Sequence, residues 1–365
     1  MAKHVHSMIK MAAAAVMIAG LLSGCGQEHS NREASAQTQK TDPVSATFYV
    51  YDTVATIKIY DEKATEQNVD EIRDLLGKID RELSRTNPDS DLYKVNAAAG
   101  QQAVQVSQGT FDAVKKALDY AEATHGLLDP TVGPLINLWD IGHQDAKVPN
   151  KNELETARRL TDYHKVVMDE ANRTIKLEQP GMVLDLGSIG KGYAADQVSL
   201  YMQQHHLNSA LINLGGSSIV AVGSKPGGAD WNVGLQDPDK NRGSQLGTIK
   251  INNETIDSSG VYERYFMQDG VRYHHILDPR TGYPTQNGLM SITIVSDNAT
   301  DADALSTAAF VMGLKDGMAY IERQKGVEAF FVMDDNQIYA TSGLKDRIHL
   351  TSTIYHMADD PSSIK

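Results

Sequence analysis

A chain of 365 residues with 41% hydrophobic and 22% charged content is long enough for one large folded domain or two ordinary ones, and its composition is that of a soluble globular protein. A formal charge of −13, with only six Phe and two Trp beside 15 Tyr, argues against nonspecific nucleic-acid binding, which needs clustered Lys and Arg and, for single strands, aromatic platforms. An anionic ligand would need a local positive site or a metal ion.

Lys3 and Lys10 lead into the apolar run Met11 to Leu22, about twelve residues long and short of the roughly 20 a membrane helix needs. Residues 1–24 therefore read as a secretion signal. It ends in Leu22-Ser23-Gly24-Cys25, a lipobox pattern in which Cys25 becomes the lipidated first residue of the mature chain; an ordinary signal with an incidental Cys is the alternative. Cys25 is the single cysteine, which rules out an internal disulfide and a thiolate metal cluster. Residues 25–46 are polar and read as a flexible tether, residues 47–355 as the folded domain, and residues 356–365 as a polar tail.

Along the folded part, Phe48 to Tyr60 alternates as one strand and Asn68 to Leu83 has helical spacing. Ser84 to Ser90 breaks that helix, and a second, Gly109 to Thr124, leads into the proline- and glycine-rich bend Gly126 to Pro134. Asn152 to Leu160 reads as a helix, and Lys165 to Met168 with Thr174 to Leu177 as a strand pair. Met182 to Leu186 then reads as a strand, Gly187 to Gly192 as a glycine-rich loop, and Tyr193 to Met202 as a helix. With Ala210 to Leu214 and Gly215-Gly216 following, Val183 to Val222 is expected to form a βαβ unit whose two glycine-bearing loops lie side by side. Asp269-Gly270 marks a hairpin between Thr255–Phe266 and Val271–Leu277. Ser291 to Val295 reads as a strand, Thr300 to Met312 and Lys315 to Gln324 as helices, and Ala329 to Val332 with Ile338 to Thr341 as closing strands.

Three places carry chemistry. The loop at Gly187 to Gly192 opens a helix whose N–H groups and dipole suit a phosphate, and Lys191 adds a full charge; its spacing fits neither nucleotide loop of known grammar, and a plain structural turn is the alternative. Asp303 and Thr307, four apart, place a carboxylate and a hydroxyl on one helix face, hard oxygen donors that suit Mg²⁺ better than Zn²⁺. The alternative is that Thr300 caps this helix while Asp301 and Asp303 favour its dipole. His274 and His275 point to opposite faces of a strand, so at most one reaches a given site, as a general base or as a histidine satisfied by backbone partners.

Four stretches together resemble the ApbE-type FAD:protein FMN transferases, bacterial lipoproteins once described as thiamine-biosynthesis lipoproteins. They are Asp129-Pro130-Thr131-Val132-Gly133-Pro134-Leu135 running to Leu138-Trp139, Asp185 to Tyr193, His275 to Gly282, and Thr300 to Thr307, in an order and spacing that cover residues 48 to 345. The resemblance implies a compact α+β architecture of mixed sheet and helix enclosing a flavin nucleotide. It implies an enzyme that uses Mg²⁺ to move FMN from FAD onto a Ser or Thr hydroxyl of an exported protein, releasing AMP. Carried over, Asp303, Thr307 and the Ser188 carbonyl would bind Mg²⁺. Lys191, Asp185, Leu127, Leu128 and Asp129 would contact FAD, and His275 would be the base. Tyr51, in Tyr51-Asp52-Thr53 where the family has Met-Gly-Thr, and Thr86, where an aromatic often lines the flavin, would stand at the isoalloxazine; Ser217 follows Gly215-Gly216 where an acidic or amide residue is common. The competing readings are an FAD pyrophosphatase, a non-catalytic FAD-binding lipoprotein, and a transporter's substrate-binding lipoprotein. A lipid anchor would hold the protein on the extracytoplasmic side of a membrane.

Overall fold

The computed structural model of the protein describes residues 42–358, so the expected signal, Cys25, most of the tether and residues 359–365 lie outside the described residues. Among the described residues no helix is long and apolar enough to cross a membrane.

In chain order the elements are β1 (Val44–Val50), β2 (Thr53–Ile59), α1 (Glu66–Leu83), α2 (Asp91–Ala97), β3 (Val104–Gln105), α3 (Gln108–Ala123), α4 (Gly133–Trp139) and α5 (Lys151–Arg159). There follow β4 (Val166–Asp169), β5 (Thr174–Leu177), α6 (Gly190–Gln204), β6 (Ser209–Leu214), β7 (Ser218–Gly223), β8 (Trp231–Gln236), β9 (Gln245–Ile251) and β10 (Thr255–Gly260). The last are β11 (Tyr265–Gln268), β12 (Val271–His274), β13 (Leu289–Ser296), α7 (Ala299–Met312), α8 (Leu314–Ile321), β14 (Val327–Met333), β15 (Gln337–Ala340), β16 (Ile348–Leu350) and β17 (His356–Met357).

A nine-stranded sheet in the order β1-β2-β6-β7-β10-β13-β14-β15-β17 forms the body, antiparallel except for the β15–β17 pair. Strand alternation sends Ile57, Ile212, Ile292 and Phe331 toward α1, α6, α7 and α8 on one face. It sends Ile219, Ile256, Val295, Phe330 and Val332 into a second core beneath the small sheet β16-β9-β8. Helices segregated to one face of an antiparallel sheet make this an α+β fold, as expected.

Several expectations are corrected. Phe48 to Tyr60 is not one strand but the end of β1, a turn and β2, because Tyr51 and Asp52 take φ of 53° and 55° and reverse the chain without a Gly or Pro to announce it. The folded region begins at Val44, paired with Ile59, three residues inside the expected tether, and His356–Met357 pair with Gln337–Ile338 rather than belonging to a tail. Met182 to Leu186 is not a strand: Val183 makes one isolated bridge to Val132, and Leu184 exchanges both backbone bonds with the side-chain amide of Asn96 at 2.7 and 2.9 Å. With no strand to cross over from, there is no βαβ unit, and β6 runs antiparallel to both its neighbours. The long strand expected from Thr255 divides, with β10 joining the main sheet and β11 forming the Asp269-Gly270 hairpin with β12.

Candidate active site

The four stretches singled out in the sequence are brought together. Asp185 N–H donates to the Pro130 carbonyl at 2.8 Å and Gly133 N–H to the Val183 carbonyl at 3.2 Å, so the proline-rich bend lies against the segment entering α6. Gly133 has no room for a side chain, since a Cβ there would stand 2.5 Å from the Val183 carbonyl oxygen. Trp139 Nε1 donates to the Gly282 carbonyl at 2.7 Å, tying the end of α4 to the loop after His275. His274 packs edge-on against Phe310 of α7 at 5.7 Å, and α7 meets α6 through Asp303.

The α6–α7 junction is a reciprocal cap. Helix α6 has no capping side chain of its own, and the Gly192 N–H donates instead to Asp303 Oδ2 at 2.8 Å. In return Asp196 of α6 accepts from the N–H groups of Ala299 and Thr300 at 2.8 and 2.9 Å, and from the Thr300 hydroxyl. The formal N-cap of α7 is Asn298, whose side chain accepts from Asp301 N–H, while Asp301 pairs with Lys116 at 2.9 Å. The alternative in which Thr300 caps this helix does not hold: Thr300 lies inside it, held from across the junction.

Around Asp303 lies a buried polar cluster. Lys191 Nζ donates to Ser217 Oγ, which confirms that the α6 loop and the Gly215-Gly216 turn are neighbours. Asp257, on β10, is 1% exposed and Asp303 is 4% exposed. Burial raises the carboxyl pKa of Asp303 above its ordinary value, opposed by the Lys191 charge. Burial and then the Asp303 charge push Asp257 well above the ordinary range, again opposed by Lys191. Asp257 was not singled out in the sequence; a carboxylate within the strand-forming Thr255-Ile256-Asp257-Ser258 was the available signal.

The two histidines do diverge. His274 is buried with Nε2 2.6 Å from the Thr285 carbonyl. His275 is half-buried, with Nδ1 3.3 Å from the Arg264 carbonyl; a carbonyl only accepts, so Nδ1 carries the proton and Nε2 keeps its lone pair. Burial, then the Arg264, His274 and Lys191 charges, push the His275 pKa down to about 3, so the ring is neutral near pH 7.

The other expected site residues divide between surface and scaffold. Ser188 is half-buried in the turn that enters α6, and Thr307 is half-buried one turn beyond Asp303. Asp185 pairs with Arg85 at 2.9 Å and accepts from Gly187 N–H at 2.8 Å, which stiffens the loop. Asp129 spends its oxygens on Thr131 and the Tyr163 N–H, so its carboxylate organises the bend. The Leu128 side chain is in the core, whereas Leu127 lines an open pocket of about 270 Å³ with Arg280, Met312 and Tyr320. Tyr51 donates its hydroxyl to the Leu76 carbonyl of α1 at 3.1 Å, and Thr86 is exposed beside Arg85.

This arrangement sets a cation and a carboxylate pair at one helix N-terminus, with a neutral imidazole near enough to feel the Lys191 charge. A model of the ApbE family matches residues 51–331 of the chain. The FAD:protein FMN transferase of Treponema pallidum is 35% identical over 317 residues, spanning 82% of this chain and 87% of the relative. That of Klebsiella pneumoniae is 36% identical over 277 residues, spanning 76% and 85%. Among solved structures, the ApbE protein of Thermotoga maritima superposes with a TM-score of 0.76 at 33% identity, over 83% of this chain and 98% of that one. The flavin transferase ApbE of Vibrio cholerae gives 0.74 at 30% identity, over 84% and 99%. The chain belongs to the ApbE family.

Proposed function

We propose that this protein is an FAD:protein FMN transferase that depends on Mg²⁺ and acts on a Ser or Thr hydroxyl of an exported acceptor. The observation that carries the reading is the meeting of Lys191 and the buried Asp303 at the start of α6, with His275 within electrostatic reach of Lys191, together with relatives that bear that transferase name. Among the described residues no three His, Cys, Asp or Glu side chains form a ready metal cluster. That is compatible with Mg²⁺, which takes one or two carboxylates and completes its shell with other oxygens, and the buried Asp303 at a junction of oxygen donors fits such an ion. Asp303, Thr307 and the Ser188 carbonyl would hold it, and once bound it would neutralise pyrophosphate charge.

In the reaction the acceptor oxygen attacks the FMN phosphorus, the bond from that phosphorus to the bridging oxygen breaks, and AMP leaves with that oxygen. His275 Nε2 takes the hydroxyl proton, a role typically worth about 10² to 10⁴ in rate. Lys191 and the positive end of the α6 dipole attract the pyrophosphate charge. A helix terminus alone gives only about 0.3 to 1 kcal/mol, against the roughly 8 to 23 kcal/mol that enzymes commonly supply, so positioning must carry much of the remainder.

The test is incubation with FAD and an exported flavoprotein domain bearing an acceptor Thr, in Mg²⁺ or EDTA, read by mass spectrometry. Mg²⁺-dependent addition of one FMN to the acceptor with AMP release supports the transferase. Free FMN and AMP without an adduct would indicate a pyrophosphatase, and intact FAD throughout would indicate a binding protein. The lipobox at Cys25 supports a lipid-anchored, extracytoplasmic location; loss of palmitate labelling in Cys25→Ser would bear this out, and unchanged labelling would overturn it.

A further inference from the structure

We propose that Asp257 is a second carboxylate ligand of the divalent cation at Asp303, so that β10 and α7 grip the ion from two sides. The inference rests on the metal-dependent reading above and adds a residue to it.

Asp257 stands in the interior of the main sheet, paired with Ser218 on β7 and Ile294 on β13, and is 1% exposed. Holding an unpaired ion there is strongly unfavourable. Yet its partners are few. Oδ2 meets no donor at good hydrogen-bonding geometry; the neighbouring Ser218 Oγ, itself without another partner, lies close enough only to ease its charge. Oδ1 is reached only by Ser306 Oγ at 3.4 Å, and that hydroxyl donates its single proton better to the Asp303 carbonyl at 2.9 Å. The nearby ammonium of Lys191 is bonded to Ser217 instead.

Buried polar atoms are nearly always partnered, and an open carboxylate oxygen beside a second carboxylate is eased either by a proton or by a cation, which serves both groups at once. Asp257 faces the Asp303–Ser306 turn of α7, next to Thr307. A small hard ion with oxygen ligands accommodates two carboxylates and would discharge both.

The experiment is calorimetric titration of Mg²⁺ and Cd²⁺, without FAD, into the full chain carrying Cys25→Ser, alone and with Asp257→Asn or Asp257→Cys. Asp257→Asn should weaken Mg²⁺ binding by roughly 10- to 100-fold, the scale seen when support for a metal site is removed. Asp257→Cys should weaken Mg²⁺ similarly and bind Cd²⁺ more tightly than the parent, because a thiolate prefers the softer ion. Unchanged Mg²⁺ affinity in Asp257→Asn overturns the inference, as does weakened Mg²⁺ without a Cd²⁺ gain in Asp257→Cys, which marks Asp257 as a counter-charge only. A parent chain that binds no Mg²⁺ overturns the metal-dependent reading as well. Should Asp257→Cys fail to fold, the electron paramagnetic resonance of bound Mn²⁺ decides: a changed spectrum in Asp257→Asn supports ligation, and an identical one overturns it.

Discussion

Asp303 on α7 accepts the backbone N–H of Gly192 in the first turn of α6 at 2.8 Å. The residue expected to hold a cation is therefore also the cap of the helix that carries Lys191 in its first turn. In the proposed reaction stability and catalysis share this carboxylate, and substitutions can separate them. Asp303→Ala should lose the cap, at about 0.5 to 2 kcal/mol of stability, together with FMN transfer. Asp303→Asn keeps an acceptor for Gly192 N–H and should stay within a few tenths of a kcal/mol of the parent while transfer is still abolished. Urea unfolding beside the transfer assay reads both; equal stability loss in the two variants would contradict the shared role.

Gly192 is fixed by the same contact. A Cβ there would stand 2.3 Å from the Ala299 carbonyl oxygen and 2.7 Å from Asp303 Cβ, neither of which can move without parting the helices. Gly192→Ala should cost about 1 to 3 kcal/mol as an overpacked contact and reduce transfer, whereas Gly190→Ala, with open space around its Cβ, should spare the packing. Thermal unfolding of the two variants checks this.

His275 is held neutral, its pKa pushed down to about 3 chiefly by burial. A histidine whose folded pKa lies below its unfolded value near 6.5 favours the folded state most above that value, and this contribution is lost as pH falls through the window toward 3. For catalysis, kcat/KM of the free enzyme should show no histidine ionisation between about pH 5.5 and 7.5. His275→Ala should lower kcat by about 10² to 10⁴. A break near 6.5 that disappears in His275→Ala would mean an ordinary, exposed imidazole.

The hairpin at the start of the described residues gives a prediction about boundaries. A chain beginning at Thr47 lacks Val44 to Ala46, which pair with Ile59, Lys58 and Ile57, and leaves the β2 edge open. It should melt below a chain beginning at Asp42, with an unfolding transition lower by several degrees, on the scale of about 4 to 8 °C per kcal/mol for a small domain and less for one this large. Equal midpoints would show the three residues to be dispensable.

Helices with an apolar stripe were legible because a 3.6-residue period needs no knowledge of the partner: Ile72, Leu76 and Ile79 mark α1, and its observed start at Glu66 follows from the Thr65–Asn68 capping box. The Asp269-Gly270 turn was legible for the same local reason. Tyr51-Asp52 carried no such signal, and the apolar run at Met182 read as a strand although its backbone is satisfied by the Asn96 side chain.

The sequence by itself determined which groups could do chemistry, since Lys191, Asp303, Thr307 and His275 declare their functional groups and donor types wherever they stand. Only the tertiary structure decided what each one meets. The bond from Gly192 to Asp303 spans 111 positions, and the neighbourhood of Asp257 with Ser306 spans 49. Burial, electrostatic coupling and the sharing of one hydroxyl between two acceptors depend on distances across the sheet and the helix pair, and no local pattern encodes those distances.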